Sequence, residues 1–545
     1  MSGSVKYLSL YSRLLHSQQT FIIMLISTVD LPEIRRLPAA VLLPLLLLSL
    51  YLLRKLPSLF SPNYSNPKNL PPSPPKLPLL GNLHQLGPSP HKILRSLAGK
   101  HGPLMLLHLG NVPLLVVSSA AAAEKVLKTH DRIFSSRPEI AVVAAIYGGK
   151  DVAFSPYGEY WRQVKSICVH KLLSSKKVQS FRNVREEEVA IMVDRFRASC
   201  DDHRRSPAAI NVGEEFAALT NDVICRVALG KKYSDGEESG RKFKEVLESL
   251  GVLLGSFNVG EFIPWLGWIN WLNGWNGRVR RVAEDLDEFL EAVVMEHWEN
   301  SRNRGEDDKD FVDVLLDIGR NGEGGFHLDA TSTKAVILDM FAAGTDTTFT
   351  LMEWTLSKLL KHENTMKKLK KELKNVARHK SKITEDDLDK CKYLKAVVKE
   401  VLRLHPPLPL LVPRKTTRDV KILNYDVLAG TRVVVNAWAL GRDPSLWEDP
   451  EDFIPERFMN NLVDFKARFQ FIPFGGGRRG CPGSAFALGL AELALANLVL
   501  NFEFELPDGS RGEDLDMSEG EGITIHRKYP LSVIPRCDST LSFVE

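Results

Sequence analysis

Thiols are scarce in this chain: six cysteines in 545 residues (Cys168, Cys200, Cys225, Cys391, Cys481, Cys537), no two of them close together. There is no C-x-x-C pair and no histidine cluster at zinc-finger spacing, so neither a disulfide framework nor a zinc module is expected. The pattern reads as a reducing compartment, with every cysteine except Cys481 serving as a small buried hydrophobe. A surplus of charge is also missing. Against 71 basic residues stand 67 acidic ones, a net charge of +4, which gives the whole molecule no polyanion partner and leaves nucleic acid unindicated. Internal repeats and Gly/Ser linkers are absent, which excludes a solenoid and a string of tethered modules. With 44% hydrophobic and 25% charged residues the composition is that of a globular protein with a large core.

Residues 1–29 lack Asp and Glu but carry several Ser, Lys6 and Arg13, a weak likeness to an organelle transit peptide. Met24 is an alternative start, so residues 1–36 read as a leader of open role. One long uncharged run exists, LPAAVLLPLLLLSLYLL at 37–53, followed by Arg54 and Lys55. It is just long enough to span a bilayer and lacks the polar positions at 3.6-residue spacing of a core helix, so it reads as a membrane anchor. Residues 54–80 form a basic, proline-rich hinge, whose NLPPSPPKLP holds the chain extended before a turn at Gly81-Asn82. From 81 to 545 one large catalytic domain is expected, mainly α with a smaller β region. PLMLLHLGNVPLLVVSS (103–119) predicts two strands joined at Gly110-Asn111. Helical spacing marks 119–131, 158–175, 278–302 and 363–380.

Three further stretches carry chemistry. A long helix from the N-cap Asp329 to His362 has FAAGTDTTFT (341–350) at its middle. Glycine and hydroxyl side chains are poor helix material, which predicts a widened turn there, with an acid and a hydroxyl side by side to hold a small polar molecule and pass protons. KEVLRLHPP (399–407) sets Glu400 and Arg403 at i, i+3; alone, such a pair is ordinarily a solvated surface bridge. FIPFGGGRRGCPG (471–483) surrounds Cys481 with glycines that permit close approach to a flat object. It leads into the strong helix SAFALGLAELALANLVL, whose N-terminus is expected to lower the thiol's pKa and favour a metal-binding thiolate. Arg479 stands ready for an anionic edge of the ligand.

Together these residues resemble the cytochrome P-450 family of heme-thiolate monooxygenases. The likeness rests on Phe474, Gly477, Arg479, Cys481 and Gly483 in F-x-x-G-x-R-x-C-x-G, Glu400 and Arg403 in E-x-x-R, and PERF (Pro455 to Phe458). AGTDT (Ala343 to Thr347) and Trp161 with Lys165 in W-x-x-x-[RK] add to it, in the family's order. The anchor, the hinge and the FAAGTDTT wording are most similar to plant A-type enzymes of the seventy-one clan. The resemblance implies a P-450 fold with heme b (iron protoporphyrin IX) between the long distal helix and the cysteine-loop helix, and Cys481 as the iron ligand. It implies that Trp161, Lys165, Arg414 and Arg479 meet the propionates, with Lys165 standing where many relatives carry Arg. Phe474 and Gly483 would complete the heme cradle. Glu400, Arg403 and Arg457 would form a structural network, and Asp346 and Thr347 would relay protons to dioxygen.

The implied activity is oxygen insertion into a small apolar substrate, in plant specialised metabolism, at the endoplasmic reticulum membrane with the catalytic domain facing the cytosol. Electrons would come from NADPH through a flavoprotein reductase. The alternatives are a peroxide-rearranging or dehydrating enzyme of the same fold and a non-catalytic membrane heme protein; the intact Asp346–Thr347 pair argues against both. Residues 141–154, Ala342, Ala343 and 408–412 are expected to face the pocket, nearly all aliphatic or small. Two basic runs, 170–177 and 367–374, are candidate reductase contacts or solvated helix faces. FIPWLGWINWLNGW (262–275) holds four of the nine tryptophans, broken by Pro264, Gly267 and Gly274, and reads as a surface loop suited to a membrane interface, with core packing as the alternative.

Overall fold

The structure is a computed structural model that describes residues 69–201, 209–233, 238–300, 305, 309–322, 326–378, 380–459 and 469–538. The leader, the anchor and the first part of the hinge lie outside the described residues. From residue 69 the proline-rich run lies along the body: Leu106 N donates to Pro72 O (2.9 Å), and the Asn82 amide donates to Pro74 O and Pro75 O. Gly81 turns the chain with φ +61°; a Cβ there would come 2.1 Å from His108 O. Only glycine fits this turn.

In chain order the main helices are α1 (Pro90–His101), α2 (Ala141–Tyr147), α3 (Glu159–Ile167), α4 (Arg182–Asp201), α5 (Val212–Leu229), α6 (Glu238–Gly255) and α7 (Trp275–Asn300). Then follow α8 (Phe311–Asn321), α9 (Ala330–Lys361), α10 (Glu363–Ala377), α11 (Lys392–Leu404) and α12 (Ser484–Asn501). The β minority is β1 (Leu104–Leu109), β2 (Val112–Val117), β3 (Ile210–Asn211), β4 (Arg414–Lys415), β5 (Val420–Ile422), β6 (Tyr425–Val427), β7 (Arg432–Val435), β8 (Phe502–Glu505) and β9 (Ser532–Cys537). β1 and β2 form the expected antiparallel hairpin around Gly110, and β7 joins β2 in parallel to give the order β1-β2-β7-β4. The second sheet, β3-β9-β8, closes the C-terminal strand onto the start of α5.

Helices α5, α9 and α12 share the largest core, with Phe216, Val223, Phe341, Trp354, Leu490 and Leu498 buried in it. α12 is the one helix among the described residues long and apolar enough to cross a bilayer, but 72% of it is buried in this core, where it serves as packing. A second apolar cluster under the sheets holds Val117, Leu127, Phe134 and Ile472.

The i, i+3 pair Glu400–Arg403 is a buried node, contrary to the surface bridge that such spacing ordinarily makes. Both side chains are fully enclosed. Arg403 spends its five N–H donors on five acceptors: Nε and Nη2 on the Glu400 carboxylate (2.8 and 2.7 Å), Nη1 on Gly441 O and Pro450 O, and Nη2 also on Asp452 O. Arg457 Nε lies 3.4 Å from the same carboxylate, and Ile454 N donates to it. α11 is thus bolted to residues 441–457. Replacing Arg403 with Leu leaves the buried Glu400 only the longer cation contact with Arg457 and strips three backbone carbonyls of their donor, at an expected cost of about 3–5 kcal/mol. Urea unfolding of the detergent-extracted protein checks this; a loss under about 1 kcal/mol would refute the node's importance.

Candidate active site

Cys481 sits between two left-handed glycines and the start of α12. Gly475 and Gly477 have φ +68° and +67°, and a Cβ on Gly477 would lie 2.2 Å from Leu127 O. This loop is therefore pressed against the turn at Lys125–Thr129, and Cys481 N donates back to Phe474 O (3.0 Å), closing it. The Cys481 side chain has exposed surface, yet it lies deep within the protein. The sulfur is thus enclosed by the protein while keeping accessible surface of its own. The N-cap of α12 is Gly483, so the sulfur stands just before the helix, where the Gly483 and Ser484 amides donate to it. The thiol pKa is nevertheless raised, a correction to the sequence expectation. Burial outweighs those amides and nearby Lys165.

Cations gather around this loop. Arg479 is held over the Trp161 ring (3.9 Å to its centroid), and its N–H groups donate to Ser135 O, Val152 O and Ser155 O. Trp161 is buried, its Nε1 also bonded to Val152 O (3.0 Å). Lys165 Nζ donates to Gly480 O (2.9 Å), and Arg414 Nη2 donates to Gly476 O (2.8 Å) with Asp131 3.5 Å away. Sequence reading missed a fourth cation, Arg137, which is buried and bonded to Ala153 O, Val412 O and Pro413 O. Its signal was one arginine in the otherwise uncharged stretch FSSRP.

Burial depresses all four: Arg479 to about 9 and Arg414 to about 10, with Lys165 and Arg137 also lowered. Desolvation leads in each case. Mutual repulsion with Arg414 and Arg479 adds to it at Arg137, while Asp131 and Asp151 give only partial compensation. Positive charge only partly compensated, gathered beside an enclosed but accessible sulfur, fits a flat ligand with a metal at its centre and two carboxylates on its rim.

Across the core runs α9. Its N-cap Asp329 accepts from Ser332 N (2.7 Å), and the helix continues without interruption to Lys361. The widened turn predicted at 341–350 is absent: the helix runs through it unbroken, and the Thr347 and Thr350 hydroxyls donate to the carbonyls of Ala343 and Asp346 (2.7 Å each). Wide turns occur instead at Lys125–Thr129 and Cys168–Leu172, beside the cysteine loop and after α3. Asp346 is partly exposed, and its Oδ1 lies 3.2 Å from His526 Nε2.

Elsewhere the sequence expectations divide. Cys168, Cys225 and Cys391 are buried as expected, but Cys200 is only half-buried and Cys537, at the end of β9, is exposed. Of the basic residues, Lys367, Lys368, Lys370 and Lys374 pair with Glu363, Glu456, Glu503 and Asp538, and Lys177 donates to Lys309 O. Residues 262–275 form short turns with Trp265, Trp268 and Trp271 exposed at 46%, 59% and 75% and only Trp275 buried, so the region is surface. A cleft of about 630 Å³ opens between α2 and α7, lined in part by Ile146, Trp275, Arg280 and Asp287; it includes none of the predicted cofactor or catalytic residues.

A mainly helical fold that sets an enclosed but accessible cysteine before a buried helix, gathers cations around it and packs a long polar-centred helix against that same buried helix fits a heme-thiolate enzyme. A profile of the family described as Cytochrome P450 matches residues 71–532, and the chain belongs to that family. It is 53% identical over 470 residues to cytochrome P450 736A117 of Prunus mume, covering 85% of this chain and 90% of the relative. It is 48% identical over 505 residues to norfluorocurarine oxidase of Strychnos sp (90% of this chain, 96% of the relative). To a 3-beta-hydroxylase of Tanacetum parthenium it is 50% identical over 475 residues (86% and 92%). A zebra fish cytochrome P450 structure with abiraterone superposes with TM-score 0.71 at 24% identity over 83% of this chain and 99% of that one, showing the shared fold. The protein is thus a plant A-type P450 monooxygenase; its cofactor is heme b, and NADPH acting through a reductase is the family's standard electron supply.

Gly477 gives the geometry a direct check. Gly477→Ala forces a left-handed alanine, costing about 1–2 kcal/mol before the clash with Leu127 O is counted. A lower melting temperature together with weaker heme retention is expected; an unchanged melting temperature would show that the loop does not rest on that contact.

Proposed function

We propose that this enzyme inserts one oxygen atom into a small apolar substrate of plant specialised metabolism, working on the cytosolic face of the endoplasmic reticulum. Carrying this reading is the pairing of the enclosed but accessible Cys481 sulfur and the cations around it with an intact Asp346–Thr347 pair on α9. Heme b, when bound, supplies dioxygen activation at the cost of two electrons and two protons, the second oxygen atom leaving as water. Cys481 Sγ would hold the iron, with the Gly483 and Ser484 amides tempering its charge. Lys165, Arg414, Arg479 and Trp161 would orient the cofactor's carboxylate edge, Arg137 adding charge, and Phe474 and Gly483 would shape its bed.

Thr347 Oγ1 and the Asp346 carboxylate would hold and pass protons on the distal side. Residues 141–154, Ala342, Ala343 and 408–412 would face the substrate; their aliphatic character favours a ligand without fixed charge. Names such as oxidase and hydroxylase among the relatives agree with oxygen insertion over rearrangement. Cys481→Ser should abolish the red-shifted carbon-monoxide band of the reduced protein. Persistence of the band would overturn the ligand assignment, and screening terpenoid, phenylpropanoid, alkaloid and aldoxime-derived compounds for spectral binding shifts would name the substrate class.

Residues 37–53 would anchor the chain, and the exposed Trp265, Trp268 and Trp271, with Phe257 and Val252 also exposed nearby in sequence, would rest in the headgroup layer and admit lipophilic substrate. For the reductase, Lys176 in the first basic run is the exposed contact of choice, since Lys177 and most of the second run are engaged. Removing residues 1–55 should leave the protein partly membrane-bound, and adding Trp268→Ser with Trp271→Ser should release it in a flotation assay. Unaltered partition would show that these rings do not touch lipid.

A further inference from the structure

His526 stands against the middle of α9 in an arrangement that the relay reading did not use. It comes from the C-terminal segment, which is sewn to the core on both sides: Ile525 N donates to Pro407 O, and Trp354 Nε1 donates to Ile525 O (2.9 Å each). Leu531 N donates to Glu353 Oε1 (3.2 Å), and the Phe349 ring stacks on the imidazole with centroids 5.0 Å apart and planes at 5°. The ring is therefore held in one orientation. Its Nδ1 lies 2.7 Å from Thr350 Oγ1, and its Nε2 lies 3.2 Å from Asp346 Oδ1.

Thr350 Oγ1 has one hydrogen and two acceptors in reach, Asp346 O and His526 Nδ1 (2.7 Å each). When that hydrogen goes to Asp346 O, the hydroxyl oxygen accepts and Nδ1 carries a hydrogen and donates. In that arrangement a bond between Nε2 and Asp346 Oδ1 needs one more proton, on either atom. The pair is thus an imidazolium with a carboxylate or a neutral imidazole with a carboxylic acid. These two states differ only in which side of a 3.2 Å gap holds one proton. Other charged groups near the ring are Glu353, whose carboxyl is raised by burial and bonded to Leu531 N, and Arg527, which neighbours His526 in the chain and lies near the Trp354 ring. His526 is 31% exposed, so water can recharge it.

We infer that His526 is the proton-loading residue of this enzyme: it hands its Nε2 proton to Asp346 Oδ1, and Asp346 passes it inward beside Thr347. In that step the Nε2–H bond breaks, an Oδ1–H bond forms, and the charge pair becomes a neutral pair; solvent then reprotonates the ring. His526 acts through Asp346 and is a positioning residue, not one that touches substrate or cofactor. The inference rests on the proposed role of Asp346 and Thr347. Imidazole suits the task because its charge changes near neutral pH.

The test uses the full-length holoprotein with a plant reductase and no added substrate, measuring how NADPH electrons divide between hydrogen peroxide and water. His526→Phe keeps a ring to stack on Phe349 and His526→Gln keeps a polar group at Asp346, but neither can load a proton. Both should cut the water-forming fraction by about tenfold, below the usual contribution of a positioned acid. Both should also lose the wild type's decline in water formation at alkaline pH, where neutral imidazole no longer donates. A His526→Gln protein indistinguishable from wild type overturns the inference. If Thr347→Ala and Asp346→Asn themselves leave the electron division unchanged, the relay reading falls; if they shift it and both His526 variants do not, only the role of His526 falls.

Discussion

A guanidinium taken wholly out of water must have every N–H met, and Arg403 meets that demand with Glu400 and the carbonyls of Gly441, Pro450 and Asp452. Five donors in one rigid plane leave little freedom to the groups that receive them. The backbone of residues 441–454 is placed relative to α11 by this one side chain, and the PERF turn follows through Arg457 and Ile454 N. Gly441 sits so close that a Cβ would lie 2.3 Å from Arg403 O. The segment that leads toward the cysteine loop therefore starts from a fixed point.

Around Cys481 the balance is of another kind. Arg403 is compensated; Arg137, Arg414, Arg479 and Lys165 are compensated only in part, by carbonyl dipoles and by Asp131 and Asp151. A fold tolerates such repulsion where a bound anion relieves it, so the strain of three buried arginines and the half-buried Lys165 is consistent with apoprotein and cofactor being mutually dependent. The raised thiol pKa belongs to the same picture. Burial keeps the sulfur neutral until a metal takes the place of the proton.

The distal wall shows how a helix can hold polar chemistry without breaking. Hydroxyls at Thr347 and Thr350 fold back onto carbonyls one turn earlier, which satisfies their hydrogens within the helix. What the helix leaves available, the Asp346 carboxylate, is met by a residue far away in the chain.

Much of this was legible in the order of residues. Short-range rules fixed the β1–β2 hairpin at Gly110, the N-cap at Asp329, the apolar helix after Gly483 and the tryptophan-rich turns at 262–275, because each depends on neighbours within a few positions. Motif spacing named Cys481, Arg479, Trp161, Lys165 and Asp346. Tertiary structure decided the rest. Whether Glu400–Arg403 is a surface bridge or a buried node depends on what packs over it, and no i, i+3 count contains that. The continuity of α9 through 341–350 goes with its burial in the core, which propensity alone does not weigh, and the thiol's raised pKa came from a burial that the helix-end argument left out. The roles of Arg137 and His526 went unassigned for the same reason: each gains its meaning from groups far off in sequence, Arg414 and Arg479 for one, Asp346 and Thr350 for the other, brought within reach only when the core closes.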